Sequence, residues 1–125
     1  MGALSLSAAC RRRSEAPPAV DPDQALRAAA LDREQQLLAA YRSVISRRPA
    51  LARQLQPLAS DKAAHVAALG AAAPVASTVM TVAQLRALER TAATEHGRAA
   101  VAASRSLAPV LASLSASSSC AAAVL

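Results

Sequence analysis

Leucine, alanine and a few polar residues recur every three or four positions in four segments, the spacing that places side chains on one face of an α-helix. In chain order the four faces comprise Leu31, Glu34, Leu38, Tyr41 and Ile45; Leu51, Leu55, Leu58, Lys62, His65 and Leu69; Val82, Leu85, Glu89, Ala92, His96 and Ala99; and Leu107, Leu111, Leu114, Ser118, Ala121 and Leu125. The composition agrees, because 36 alanines and 16 leucines favour helix and only 3 glycines interrupt it. The sequence therefore predicts an all-α, four-helix bundle.

Local signals predict where the first two helices begin and end. Asp21 and Pro22 read as an N-cap followed by a proline at the first helical position, and the helix should run to about Ser46. Pro49 opens the second helix, which Gly70 should close as a left-handed C-cap. The short connection predicts an antiparallel hairpin.

The second half of the chain predicts another hairpin. Thr81 and Gln84 form a capping box for a helix that runs to about Ala103, and Ser106 should cap the fourth helix, with Pro109 in its first turn. The link 70–81 is long enough to cross the bundle and could also fold locally, so the direction of the third helix stays open.

The two hairpins resemble each other as a tandem repeat. A shift of 56 residues places the second face on the fourth with six identical residues, namely Leu51, Ala52, Leu55, Leu58, Ala67 and Leu69. A shift of 55 places Glu34 on Glu89 and Tyr41 on His96. Two tandem helical hairpins over residues 21–125 are the economical interpretation.

A glutamate on the first helix and a polar pair three apart on the second have a known counterpart. The run LDREQQLLAAYRSVISRRPALARQLQPLASDKAAHVAALG resembles the ferritin-like domain of uncharacterised actinobacterial lipoproteins, over about residues 20–125. The resemblance implies a ferritin-like bundle, whose two-metal site takes one Glu from each of two helices and a Glu-x-x-His pair from each of the others. Glu34 and Glu89 match the single glutamates and His65 matches one histidine, whereas Lys62 stands where the first pair needs Glu. Ser118 and Ala121 replace the second pair.

Lys62 argues against a working metal centre, because an ammonium in the site repels divalent cations. We therefore expect a degenerate metal site, no cofactor and no enzymatic activity. If Glu34 faces inward, Lys62 forms an internal ion pair with it; otherwise the lysine extends its ammonium to solvent. We interpret His65 as a hydrogen-bonded rim residue, with a single-metal site of Glu34, His65 and Glu89 as the alternative. Glu95 and His96 are expected to be exposed, and Cys120 partly buried.

The amino-terminal residues suggest a tether. Ser7-Ala8-Ala9-Cys10 resembles the end of a bacterial lipoprotein signal, with residues 1–9 as a truncated signal-like segment, residues 10–20 as a linker and Cys10 as the lipidated residue. The expected location is then the outer face of the cell membrane, with the membrane surface as partner through the lipid anchor. A cytoplasmic protein is the alternative.

Charge leaves other partners open. The net charge of +6 comes from 13 arginines and one lysine against 8 acidic residues, and such a chain can bind nucleic acid or anionic lipid. Tyr41 alone is available for base stacking, so nucleic-acid binding is disfavoured but kept as the alternative for a soluble chain. An unidentified protein partner is expected, and the thin aromatic-poor core makes a homodimer plausible. Residues 106–125 are uncharged but serine-rich, which favours a bundle helix over a membrane span.

Overall fold

The computed structural model describes residues 20–70, 75–76 and 78–125. Within them the chain forms a short 3-10 turn at Pro49–Leu51 and four α-helices: α1 Pro22–Arg47, α2 Ala52–Leu69, α3 Val82–Ala102 and α4 Ala108–Val124. These described residues include no strand. α1 packs closely on α2, and α3 on α4. The predicted all-α, four-helix bundle is confirmed.

The predicted caps of α1 and α3 are present. The Asp21 side chain accepts a hydrogen bond from the Asp23 amide at 3.0 Å, with Pro22 at the first helical position. At α3 the capping box is complete: the Gln84 amide donates to Thr81 Oγ1, and the Thr81 amide donates to Gln84 Oε1. Each cap satisfies backbone amides that the first helical turn leaves without a partner.

Gly70 ends α2 with φ of 102° and ψ of 112°. The positive φ is accessible to glycine because it has no Cβ, while ψ lies outside the left-handed helical region that we expected. Glycine is therefore required at this helix end, although the conformation is more extended than predicted.

The predicted cap of α4 is wrong. Leu107, not Ser106, is the N-cap residue; its side chain has no polar atom to make a capping bond and lies fully buried in the core. The nearby serines serve another contact: the Ser104 amide donates to Asp23 Oδ1 at 2.9 Å, and the Ser104 and Ser106 hydroxyls lie 2.8 Å apart. The turn before α4 is thus fastened to the start of α1.

Contacts between helices define their directions. α1 and α3 are antiparallel, because Asp23 at the start of α1 meets Ser104 beyond the end of α3, whereas Tyr41 meets Glu89 nearer the start of α3. α2 and α4 are antiparallel as well, as shown by bonds from Gln54 to Val124 and from Lys62 to Ser118.

The direction of the third helix follows from these pairs. α1 and α2 form one antiparallel hairpin and α3 and α4 the other, so α2 and α3 run parallel to each other. The link between Leu69 and Val82 therefore carries the chain from one end of the bundle to the other. The topology is up-down-down-up, with one long crossover.

Two apolar clusters lie on either side of a polar layer. One cluster contains Leu37, Ala40, Tyr41, Val44, Leu55, Leu85 and Ala92. The other contains Ala30, Leu69, Leu107, Leu111 and Leu114. Along α1 the buried Glu34 falls between the two clusters, and along α2 the buried Lys62 does so. The polar residues are thus enclosed by packed apolar side chains along the bundle axis.

The buried face of α1 differs in phase from its prediction. Glu34 and Tyr41 are fully buried as expected, but Leu37 and Val44 fill the core, while Leu38 and Ile45 are only partly buried. A leucine pair at positions 37 and 38 allows either phase from the sequence alone. The contacts of Glu34 and Tyr41 with α3 favour the phase that buries Leu37.

Candidate functional site

The most unusual feature of the core is a buried lysine. Lys62, the single lysine of the chain, lies on α2 with only 1% of its surface exposed. Its Nζ donates a hydrogen bond to Ser118 Oγ on α4 at 2.9 Å and lies 3.1 Å from Glu89 Oε2 on α3 and 3.7 Å from Glu34 Oε2 on α1. One ammonium therefore contacts an oxygen from each of the other three helices. Burial of Lys62 is confirmed, and the alternative of a solvent-exposed ammonium is wrong.

Glu89 depends on this ammonium. Its Oε1 accepts a hydrogen bond from the Tyr41 hydroxyl at 2.7 Å, whereas its Oε2 has no partner with hydrogen-bond geometry. The charge nearest to Oε2 is Lys62 Nζ, so the ion pair, rather than a hydrogen bond, stabilises the negative charge on this oxygen. Burial, followed by the bond to Glu89, raises the pKa of the Tyr41 phenol well above its ordinary range. Tyr41 is therefore a firm donor to the carboxylate.

Glu34 is held by two histidines. Its Oε2 lies 2.8 Å from Nδ1 of His65 on α2, and its Oε1 lies 3.0 Å from Nε2 of His96 on α3. An ionised carboxylate only accepts hydrogen bonds, so each of these ring nitrogens carries the donated proton. The contacts assign the proton-bearing nitrogen of each ring without requiring either ring to be charged.

The surroundings keep Glu34 ionised. Burial alone raises the pKa of this carboxyl, but the hydrogen bonds from His65 and His96 and the nearby Lys62 ammonium outweigh burial and lower its pKa from 4.5 to about 2. A buried negative charge is costly unless it is paired and hydrogen-bonded. A histidine N–H donates to each oxygen of Glu34, and the Lys62 ammonium lies beside them.

The hydrogen bonds of the cluster join equivalent residues of the two hairpins in both directions. Tyr41 on the first hairpin bonds Glu89 on the second, while His96 on the second bonds Glu34 on the first. Tyr41 and His96, like Glu34 and Glu89, are the pairs that the 55-residue shift relates. Lys62 and Ser118, related by a shift of 56, bond each other across the same layer. The repeat thus places equivalent residues opposite one another.

The residues present do not fit a two-metal centre. Lys62 Nζ lies among the carboxylate oxygens that would serve as ligands, and Ser118 binds this ammonium where the ferritin-like pattern has a carboxylate. Both oxygens of Glu34 already accept N–H groups. Within the described part of the chain, no group of three or more His, Cys, Asp and Glu side chains has the geometry to hold a metal ion. The alternative of a single-metal site from Glu34, His65 and Glu89 finds no support in this arrangement.

The predicted site residues assemble, and the structure adds three more. Glu34, Lys62, His65 and Glu89 all meet in one layer, and His65, with 22% of its side chain exposed, is the hydrogen-bonded rim residue that we expected. The expected exposure of His96 is wrong, because that ring is buried against Glu34, whereas Glu95 is exposed as expected. Tyr41 was predicted only as an inner-face residue, and Ser118 only as a replacement for a lost ligand, without its bond to Lys62. The 55-residue shift that pairs Tyr41 with His96 was the signal for two of the three.

The remaining predictions concern Cys10, Cys120 and a membrane-spanning helix. Cys10 and the segments 1–9 and 10–19 lie outside the described residues, so the predicted lipidation stays a prediction. The predicted partial burial of Cys120 is wrong: its position on α4 is exposed, since the neighbouring Ser118 and Ala121 take the inner face. Among the described helices, none combines the length and the apolar character needed to cross a membrane.

Comparisons with models of protein families, with curated proteins and with solved structures give no match to this chain.

Proposed function

We propose that this protein is a non-enzymatic, ferritin-like bundle in which the chain's own lysine, rather than metal ions, balances the buried carboxylates. It serves as a binding or structural module for a protein partner. The observation that carries the proposal is the position of Lys62 Nζ, within 2.9–3.7 Å of oxygens from three other helices. A fixed internal cation occupies the layer in which ferritin-like proteins bind their metals.

Topology supports the ferritin-like part of the proposal. Ferritin-like bundles have one long crossover connection, and the parallel directions of α2 and α3 require one here. The glutamates on α1 and α3 and the polar residues on α2 and α4 meet in the middle of the bundle, as the ligands of a two-metal site do. The chemistry differs, because an ammonium cannot act as a Lewis acid or exchange electrons.

The membrane tether is the second part of the proposal. Ser7-Ala8-Ala9 precede Cys10 as small residues precede the lipidated cysteine of bacterial lipoproteins, and the Pro-containing stretch 14–22 can space a domain from a membrane. Arg11, Arg12 and Arg13 would then lie beside lipid headgroups, where each contributes about 1 kcal/mol on an anionic surface. The module would present its partner site on the outer face of the membrane.

Metal independence is tested on the purified wild-type protein. We expect no metal to co-purify in stoichiometric amount, and we expect Mn²⁺, Fe²⁺ or Zn²⁺ to leave the melting temperature unchanged, because ligands that bind only the native state raise it. EDTA should have no effect either. A metal-dependent rise in Tm, or stoichiometric metal after dialysis, contradicts the proposal.

Lipidation is tested in a bacterial host that expresses the gene with its natural upstream DNA. An alkyne-bearing fatty acid should label the protein, and Cys10→Ser should abolish the label and release the protein from the membrane fraction. Cys120→Ser is the matched control, because it removes the other cysteine and should keep the label. Labelling that persists in Cys10→Ser, or that never occurs, refutes the tether.

A further inference from the structure

The two carboxylate groups beside Lys62 are held in place by residues other than Lys62. His65 and His96 hold both oxygens of Glu34, and the Tyr41 hydroxyl holds Oε1 of Glu89. The rest of the bundle thus positions both carboxylates, and the ammonium adds the bond to Ser118. Glu89 Oε2, which has no other partner, points to a place where a cation is needed.

We infer that Glu34, Glu89 and Ser118 form a preformed receptor for one primary ammonium, and that removal of the Lys62 side chain leaves a site that takes a small alkylammonium ion from solution. This inference rests on the proposed metal independence of the same cluster. It adds the chemical class of ligand that the cluster selects.

The oxygens are spaced around Lys62 Nζ at distances longer than metal–oxygen bonds. Zn²⁺ and Mg²⁺ bind oxygen at about 2.0–2.2 Å and Ca²⁺ at about 2.3–2.6 Å. The oxygens here lie 2.9, 3.1 and 3.7 Å from Nζ, the first two in the range of N–H···O contacts. An ammonium carries donors as well as charge: one N–H bonds Ser118, and the charge lies beside both carboxylates. A metal would also compete with the two histidines for the lone pairs of Glu34.

The shape of the vacated space specifies the ligand. Lys62→Ala keeps Cβ and removes three methylene groups and the ammonium from a side chain that is 1% exposed. The matching molecule is n-propylammonium, whose carbons replace Cγ, Cδ and Cε and whose nitrogen replaces Nζ. Its unbranched chain fills the apolar part of the space, while its charge meets the two carboxylates.

The experiment compares the melting temperature of Lys62→Ala in n-propylammonium chloride, in 1-propanol and in sodium chloride of equal ionic strength. We expect a saturable rise of roughly 5 °C or more in n-propylammonium only, because binding to the native state alone raises Tm. Wild type and Lys62→Met should not respond, since in each a long side chain already fills the space. If Lys62→Ala does not fold, the readout becomes recovery of the helical circular dichroism signal by n-propylammonium.

Three outcomes overturn the inference. The first is an equal response of Lys62→Ala to 1-propanol. The second is no response of this variant to n-propylammonium, whether by melting temperature when it folds or by circular dichroism when it does not. The third is a larger response of Lys62→Ala to Mn²⁺ or Zn²⁺ at lower concentration. None of these outcomes contradicts the proposed function as long as the melting temperature of wild type does not change with metals. Metal binding by wild type overturns the proposed function itself.

Discussion

Replacement of Lys62 by methionine removes the ammonium from the bundle layer while it keeps a long side chain in the space. In Lys62→Met the Oε2 atom of Glu89 loses its one charged neighbour, 3.1 Å away, and Ser118 loses its donor at 2.9 Å. Glu34 keeps both histidines, so most of the damage falls on Glu89. We expect the variant to be markedly less stable than wild type.

The magnitude follows from the contacts that are lost. Removal of one partner of a buried ion pair costs about 3–5 kcal/mol, because the other charge stays buried without compensation. In a domain of this size each kcal/mol lowers Tm by about 5 °C, so the expected fall is roughly 15–25 °C. Glu89→Gln in the same chain removes the stranded charge, and the double variant should recover at least about 1 kcal/mol.

Thermal and urea unfolding followed by circular dichroism measure the effect. Arg53→Met is the matched control, since it replaces an exposed cation on the same helix and should change stability by no more than about 0.5 kcal/mol. If Lys62→Met melts at or above the wild-type temperature, or if Glu89→Gln gives no recovery, the ammonium does not stabilise the cluster.

Three further measurements address other parts of the structure. The free energy of unfolding should fall by about 3 kcal/mol as pH drops from 4.5 towards 2. Ionised Glu34 stabilises the fold fully above its unfolded pKa and loses this effect as pH falls through its folded pKa of about 2. In a pH series of urea unfolding, Glu34→Gln should lack this part of the pH dependence, and an unchanged dependence contradicts the assignment to Glu34. Tyr41→Phe leaves Glu89 Oε1 without its donor and should lower the free energy of unfolding by about 1–3 kcal/mol. In wild type, the tyrosinate absorbance should appear only when alkali unfolds the protein. Its appearance at the ordinary phenol pKa in folded protein would show that the hydroxyl is exposed. Cys120 should react with a thiol reagent in the native protein at close to its rate in urea, since it is exposed; slow native reaction would place it inside the bundle.

The helices and the buried faces of α2, α3 and α4 could be predicted because they depend on local signals, whereas the phase of α1 could not. The cap of α1 and the capping box at Thr81 act within one turn, and the buried positions Leu55, Lys62 and Leu69 follow the helical period. The direction of α3 could not be predicted, since it depends on contacts such as Tyr41 with Glu89 that are distant in sequence. The start of α4 was missed for a similar reason: Ser104 contacts Asp23 on another helix.

The candidate site shows the same division. Helical spacing placed Glu34, Lys62, His65 and Glu89 on the inner faces of three helices, so their meeting could be predicted from the sequence. The burial of His96 was missed although helical spacing places it on the inner face, because Glu95 and Gly97 beside it are typical of an exposed turn of helix. Only the packing of α3 on α1 turns that ring towards Glu34, while Glu95 pairs with Arg33 on the surface.

The bond between Asp23 and Ser104 gives the bundle two unlike ends. It brings the start of α1 beside the turn between α3 and α4, so the chain that precedes Val20 joins the molecule at that end. The 26 residues of α1 then carry the chain about 40 Å to the opposite end, where Arg47, Arg48 and Arg53 are exposed. A molecule anchored through its first residues would therefore carry these arginines at the far end of the bundle, one length of α1 away from the end that its anchor joins.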